Sequence, residues 1–201
     1  MKLAAALTLA GLLAAPAGAR AQSYTFDPTH TFVHFEVLHF EAATLRGRFG
    51  PLQGRAELQP SQRSGRIEVQ IPLEPVSTGL PVLDQLLRGP QIFDVQNHPQ
   101  AFFVATALDF DAQGRVTAAH GEFTLRGISR PLSLRAERFR CYLNPLFRRE
   151  VCGGDFIGEF RRSEFGIEHS LAFVSDRVRL RIQVEGLRET EDAAGKNPTS
   201  R

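Results

Sequence analysis

The residues of this 201-residue chain with types suited to chemistry are six histidines, two cysteines and two arginine pairs. His30, His34 and His39 lie close together in sequence. On one strand His30 and His34 would share a face and His39 would point away. No carboxylate–histidine grouping has metal-ligand spacing, so turn and hydrogen-bonding roles are expected and no metal. Ser163 and Ser170 lie near His169, yet no G-x-S-x-G elbow precedes a helix, so no hydrolytic triad is indicated. Phosphate-cradling glycine loops are absent. Arg148-Arg149 and Arg161-Arg162 could meet a pyrophosphate, although a solvated basic edge explains them more simply. Cys141 and Cys152 have neither C-x-x-C spacing nor an activating neighbour, which argues against a reactive thiol pair. No acid–base constellation emerges, so the expectation is a binding protein with no catalytic residues and no cofactor.

The N-terminus sets the compartment. Lys2 is followed by an apolar run from Leu3 to Leu13, too short to span a bilayer, and then by Ala19-Arg20-Ala21. This is the pattern of a secretory signal peptide over residues 1–21, cut before Gln22, with cleavage after Ala19 as the alternative. The mature protein is expected in the periplasm, without stable membrane insertion. An even cysteine count in an oxidising compartment points to a Cys141–Cys152 disulfide. Closing a loop of about ten residues would stabilise the fold by roughly 2–3 kcal/mol. Removing Lys2 and Arg20 from the 24 basic residues leaves 22, equal to the 22 acidic ones. A near-neutral chain gives no general field for nucleic acid or anionic membrane.

The remaining sequence is organised around Gly121–Arg138, which predicts two strands and a tight turn. Phe123 and Leu125 alternate with Glu122 and Thr124; Leu132, Leu134 and Ala136 alternate with Ser133, Arg135 and Glu137. Gly127 can take a positive φ and Pro131 fixes φ in the second strand. Further strands are predicted over 23–27, 31–38, 65–73, 101–110, 155–161 and 176–187. Residues 45–58 read as one extended stretch, bent near Phe49 and Pro51. Val82, Leu83, Leu86 and Leu87 have helical spacing and predict one short helix. Residues 142–154 are the least regular piece, and 189–201 read as a disordered tail. Residues 22–188 therefore form one all-β domain. An antiparallel β-barrel of about eight strands with one short helix is expected, holding packed side chains or one small ligand; a β-sandwich is the alternative.

Six segments in order resemble the YceI-like family of polyisoprenoid-binding periplasmic proteins with a lipocalin-like barrel. They are Asp27-Pro28-Thr29-His30 through Phe35, Val37 and His39; Arg46-Gly47-Arg48-Phe49; Phe93-Asp94 with Pro99; Gly121 to Gly127 with Pro131; Arg162-Ser163-Glu164-Phe165-Gly166; and Asp176-Arg177-Val178. The resemblance spans Tyr24 to Gly186. There are departures. Family members often carry D-K-H-L in the helix before F-D, whereas Leu83-Asp84-Gln85-Leu86 stands here, without the histidine. If that histidine touches a headgroup, this chain reads its headgroup differently. The Cys141–Cys152 loop resembles a subgroup feature.

The resemblance implies a carrier for a long-chain isoprenoid or related amphiphile, of polyprenyl phosphate or quinone type, held in the barrel. Each buried CH₂ of such a tail contributes about 0.8 kcal/mol, so apolar lining suffices. The bias to 16 Phe over 2 Tyr and no Trp suits such an interior. Phe35, Val37, Phe49, Phe102, Val104, Phe123, Phe160, Phe165 and Phe173 are the expected ligand-binding set. An enzyme (isomerase or hydrolase) using the same cavity, or a filled structural or stress-response barrel, are the alternatives. The barrel edges could also pair into a homodimer, for which the sequence carries no evidence either way.

Overall fold

The computed structural model describes residues 21–190; most of the expected signal peptide (1–20) and the expected tail (191–201) lie outside the described residues. Ten strands follow in order: β1 Gln22–Phe26, β2 Phe32–His39, β3 Ala43–Phe49, β4 Gln53–Gln59, β5 Ser64–Pro72, β6 Gln100–Phe110, β7 Val116–Leu125, β8 Ile128–Asn144, β9 Arg149–Arg161 and β10 Val174–Arg188. Among the described residues there is a single α-helix, α1 Pro81–Arg88, between β5 and β6. All strand pairs are antiparallel, in the order β1-β4-β5-β6-β7-β8-β9-β10, and β10 closes the ring on β1. β2 pairs with β10 beyond β1, and β3 pairs with β2. The result is an eight-stranded closed barrel with two extra strands, as alternation and turn chemistry anticipate. Closure pairs both sides of the eight-stranded ring; among the described residues the outer side of β3, bridged at Arg48–Ser77, and the end of β8 beyond Arg135 stay as edges.

The residues explain the elements. Period-two alternation puts Val33 and Phe35 of β2, Phe123 and Leu125 of β7, Leu132 and Leu134 of β8, and Val178 and Leu180 of β10 inside. The β7–β8 turn is two residues long, Arg126 (φ 52°) and Gly127 (φ 73°), a twist that suits an antiparallel hairpin. The stretch expected over 45–58 resolves into β3 and β4, broken at Gly50-Pro51. At φ 147°, with the Phe32 ring standing where a Cβ would go, position 50 admits glycine alone.

One expectation is corrected. Residues 142–154 are not irregular. β8 and β9 run on as a hairpin ribbon in which Asn144 still pairs with Arg149; β8 leaves β7 after Arg135, while β9 stays on β10 as far as Val151. Cys141 and Cys152 are cross-strand partners in this ribbon and are joined by a disulfide. The apolar residues that would normally reveal such strands are exposed here (Leu143, Leu146, Phe147), so they follow no burial pattern. Replacing both cysteines by serine is expected to lower the unfolding free energy by roughly 2–3 kcal/mol while keeping the barrel. Urea denaturation of the oxidised and reduced protein measures this; an unchanged midpoint would show that the cross-strand ladder alone holds the ribbon.

Strand polarity gives the barrel two ends. At one end gather the connections 40–42, 73–99 with α1, 126–127 and 162–173; the other has the short turns at 60–63, 111–115 and 145–148. The chain also enters and leaves the barrel at the short-turn end, where Glu189 donates its N–H to the Ser23 carbonyl and accepts from Thr25 Oγ1. Among the described residues no helix is long and apolar enough to cross a membrane.

Candidate ligand-binding site

The barrel interior is not filled. A cavity of about 260 Å³ runs inside it, near the lower end of the usual range for small-molecule sites, about 300–1,000 Å³. Its wall is built from the inward positions of the strands: Val33, Phe35 and Val37; Ile67, Val69 and Ile71; Ala119, Phe123 and Leu125; Leu132 and Leu134; Phe156 and Phe160; Val178, Leu180, Ile182 and Val184. Aromatic rings interlock along it, Phe35 with Phe49 at 5.5 Å and Phe49 with Phe93 at 5.3 Å between centroids. Leu83, Leu86 and Leu87 of α1 cover one end. The cavity meets solvent there, since Leu86 lines it and is 44% exposed. Side chains that could bond a polar group are few. At the α1 end stand Arg46, which pairs with Glu36 at 3.0 Å, Thr78, whose hydroxyl donates to Asp84, His169 and Ser170.

Two buried polar residues hold this frame. Tyr24 lines the cavity toward the short-turn end, and its hydroxyl lies 2.7 Å from Glu150 Oε1 and 2.9 Å from Gln22 Oε1. Burial, followed by the Glu150 carboxylate beside it, pushes the phenol far above its ordinary range, so it is neutral. Arg162 is 6% exposed. Its guanidinium donates to four backbone carbonyls: Ser175 (2.9 Å), Ile167 (3.1 Å), His169 (2.8 Å) and Val174 (2.7 Å). Burial lowers its pKa, and the nearby Asp176 carboxylate opposes that. Asp176 in turn accepts from Ser163 N–H (2.8 Å) and Oγ (2.9 Å).

The structure brings some of the expected site residues together and separates others. Phe35, Val37, Phe49, Phe123 and Phe160 line the cavity. Phe165 is 1% exposed and backs the wall, with its ring 5.4 Å from Phe123 and 5.2 Å from Phe160. Phe102 and Val104 do not line it. β6 is apolar on both faces, so its register cannot be read from polarity; Ala101, Phe103 and Ala105 take the inside and turn Phe102 and Val104 outward. Phe173 also lies outside, on the loop before β10, against Phe40 at 5.1 Å. The α1 leucines and Phe93 are wall residues that the sequence reading misses, although the i, i+3, i+4 spacing of the leucines marks one covered face.

Among the polar candidates, Arg162 is tied to carbonyls inside and Arg148-Arg149 sit at the ribbon tip, so neither arginine pair faces the cavity end as a unit. His30 is in a turn, with Nδ1 2.8 Å from Asp27 Oδ2. His34 pairs with Arg48 and Arg181, and His39 packs edge-on to Phe40. A Ser–His–Asp row does occur where sequence did not suggest one. His120 Nδ1 is 2.9 Å from Ser133 Oγ, and Nε2 is 3.0 Å from Asp109 Oδ2. It lies on the outer face of β6, β7 and β8, where backbone amides belong to the ladder and no oxyanion site is formed.

A barrel with this interior and this motif order has relatives, and a YceI-like domain is matched over residues 24–186. The chain belongs to the YceI-like family. A UPF0312 protein of Pectobacterium carotovorum is 30% identical over 186 residues, covering 91% of this chain and 95% of the relative. Protein YceI of Salmonella newport is 29% identical over 185 residues, covering 90% and 95%. BcnA of Burkholderia cenocepacia shares the fold at a TM-score of 0.66 and 18% identity, covering 80% of this chain and 98% of its own. A polyisoprenoid binding domain from Saccharophagus degradans, implicated in plant cell wall breakdown, matches at a TM-score of 0.60 and 16% identity, covering 83% and 98%. In the helix at 81–88 Asp84 accepts from Thr78 N–H and Oγ1 (2.7 and 2.6 Å), pinning the loop before α1. An imidazole at this end comes from His169.

Proposed function

We propose that this chain is a periplasmic binding protein for a lipid with a long isoprenoid-type tail, of the polyprenyl phosphate or quinone class. The observation that carries the proposal is the unfilled apolar cavity, which opens at the α1 end beside the few polar side chains. The tail enters the barrel, and each CH₂ taken from water contributes about 0.8 kcal/mol. The headgroup stays at Arg46, Thr78, His169 and Ser170. Membership of the YceI-like family supports this, as does the shared fold of the polyisoprenoid binding domain from Saccharophagus degradans. The export pattern of residues 1–21 and the Cys141–Cys152 pair support a periplasmic setting. In this reading the protein carries its ligand unchanged; the Ser133–His120–Asp109 row lies outside the cavity. A cavity of about 260 Å³ favours this reading over a filled scaffold. Native mass spectrometry of protein purified from its own periplasm, with organic extraction, tests the proposal. A stoichiometric prenyl lipid is the expected result. An empty protein that takes up no prenyl lipid in titration would overturn it.

A further inference from the structure

The cavity end carries apolar side chains that neither the fold nor the cavity uses. Phe40 is 59% exposed and Val82 69%, and neither lines the cavity. Leu80, Leu171 and Phe173 are exposed at the same end, on the loop before α1 and on the 162–173 connection, and Leu86 of α1, which also lines the cavity, is exposed on its outer side. Phe40 is the informative one. It sits at φ 52°, followed by Glu41 at 54°, in the β2–β3 turn. Left-handed backbone is unfavourable for a non-glycine residue, and such turns favour Asn or Gly. Turn chemistry therefore does not ask for phenylalanine there, and burial does not either. Its ring stacks on Phe173 at 5.1 Å, so two exposed aromatics from separate connections form one ridge.

We propose that this rim docks on the surface of a zwitterionic lipid bilayer, inserting Phe40, Phe173 and the outer edge of α1, so that the cavity opens onto the lipid. The inference rests on the lipid-binding reading above, because a tail nearly insoluble in water is best transferred where the cavity meets its source. Three observations select a bilayer. At about 200 Å² per large side chain, the exposed fractions of these six residues come to roughly 600 Å². That is the upper end of the range for the largest apolar patch on a monomer, and such patches are often functional. Residues 191–201 contain no large apolar side chain that could cover it. The four connections at this end carry three arginines (88, 126 and 162) against six carboxylates (41, 74, 84, 94, 164 and 168). Even with Arg46 of β3 beside them this set is net acidic, which gives no attraction to anionic lipid and leaves apolar insertion as the driving force.

Co-flotation with phosphatidylcholine–phosphatidylethanolamine vesicles tests this, using the full protein and a Phe40→Asn/Val82→Gln variant. Asparagine suits the left-handed turn and glutamine suits the helix, so the fold is preserved. The protein is expected to float, the variant to bind at least tenfold more weakly, and neither added phosphatidylglycerol nor high salt to change the result. A protein that does not float, a variant that floats equally, or salt-sensitive binding would overturn the proposal. So would a dimer in sedimentation that the two substitutions dissociate. Titration with a short, water-soluble prenyl alcohol separates the two ideas: if it succeeds in both proteins while flotation fails, docking alone is wrong; if it fails too, the lipid-binding reading falls with it.

Discussion

Arg162→Leu is expected to lower the unfolding free energy by about 3–5 kcal/mol and to loosen residues 163–174. The guanidinium is almost wholly inside the protein, and it faces carbonyls, with no carboxylate in contact. Four carbonyl dipoles from the connection and the first strand residues after it converge on one fixed fork of donors. Leucine keeps the stem's volume but leaves the Ser175, Ile167, His169 and Val174 carbonyls without a donor, each costing about 1–3 kcal/mol if it stays buried. The cheapest escape is for the connection to open and hydrate, which displaces His169 and Ser170 at the cavity end. Arg162→Lys is expected to fall between the two, since a point-charge ammonium with three donors cannot reproduce the planar fork. Urea denaturation gives the global loss, and hydrogen exchange of amides 163–174 gives the local one. Wild-type stability in Arg162→Leu, to within about 0.5 kcal/mol, would show that the carbonyls find other partners and that the arginine is not what holds the connection.

Arg162 also illustrates what the sequence reveals and what it conceals. Its position in Arg162-Ser163-Glu164-Phe165-Gly166 is legible as a motif, but a surface arginine and a buried one are written with the same letter. The spelling invites a basic edge; the burial comes from carbonyls contributed five to thirteen residues further on. The strands are more transparent, because alternation in β2, β5, β7, β8 and β10 fixes which residues face inward. Where both faces are apolar the signal is lost. In β6, Phe102 and Phe103 are adjacent and equally hydrophobic, and only pairing with β5 and β7 decides that Phe103 points in. Phe173 misleads in the other direction: it is as apolar as a wall residue yet remains outside. The α1 leucines are legible as a helix face, but a short amphipathic helix says nothing about whether it covers a core or a cavity. Emptiness is the least legible property of all. It is a difference between the girth of a closed barrel and the volume of side chains pointing into it, and small residues such as Ala56, Ala101 and Ala119 create it as much as large ones define its wall.

Ala119→Trp is expected to weaken binding of a long prenyl tail by on the order of 100-fold while leaving the barrel as stable as before or more so. Ala119 is 1% exposed and lines the cavity from β7, three residues from Val116 at the short-turn end and six from Leu125 at the α1 end. A large side chain there fills the deep part of the interior and leaves the polar end untouched. The removed space is apolar void, so filling it restores packing contacts. The same atoms exclude about four CH₂-sized groups of ligand, worth up to about 0.8 kcal/mol each. A chain-length series shows the effect most directly. In the wild type, affinity should rise with each added isoprene unit until the tail reaches the short-turn end, and then level off. In Ala119→Trp the plateau should come at least one unit earlier, with short tails bound as in the wild type. Ala119→Leu should fall between, which keeps the series interpretable if tryptophan proves too large to fold around. Identical curves for all three proteins would mean that the tail does not enter the deep interior. The lipid would then have to lie across the α1 end, and the cavity could not be the carrier site.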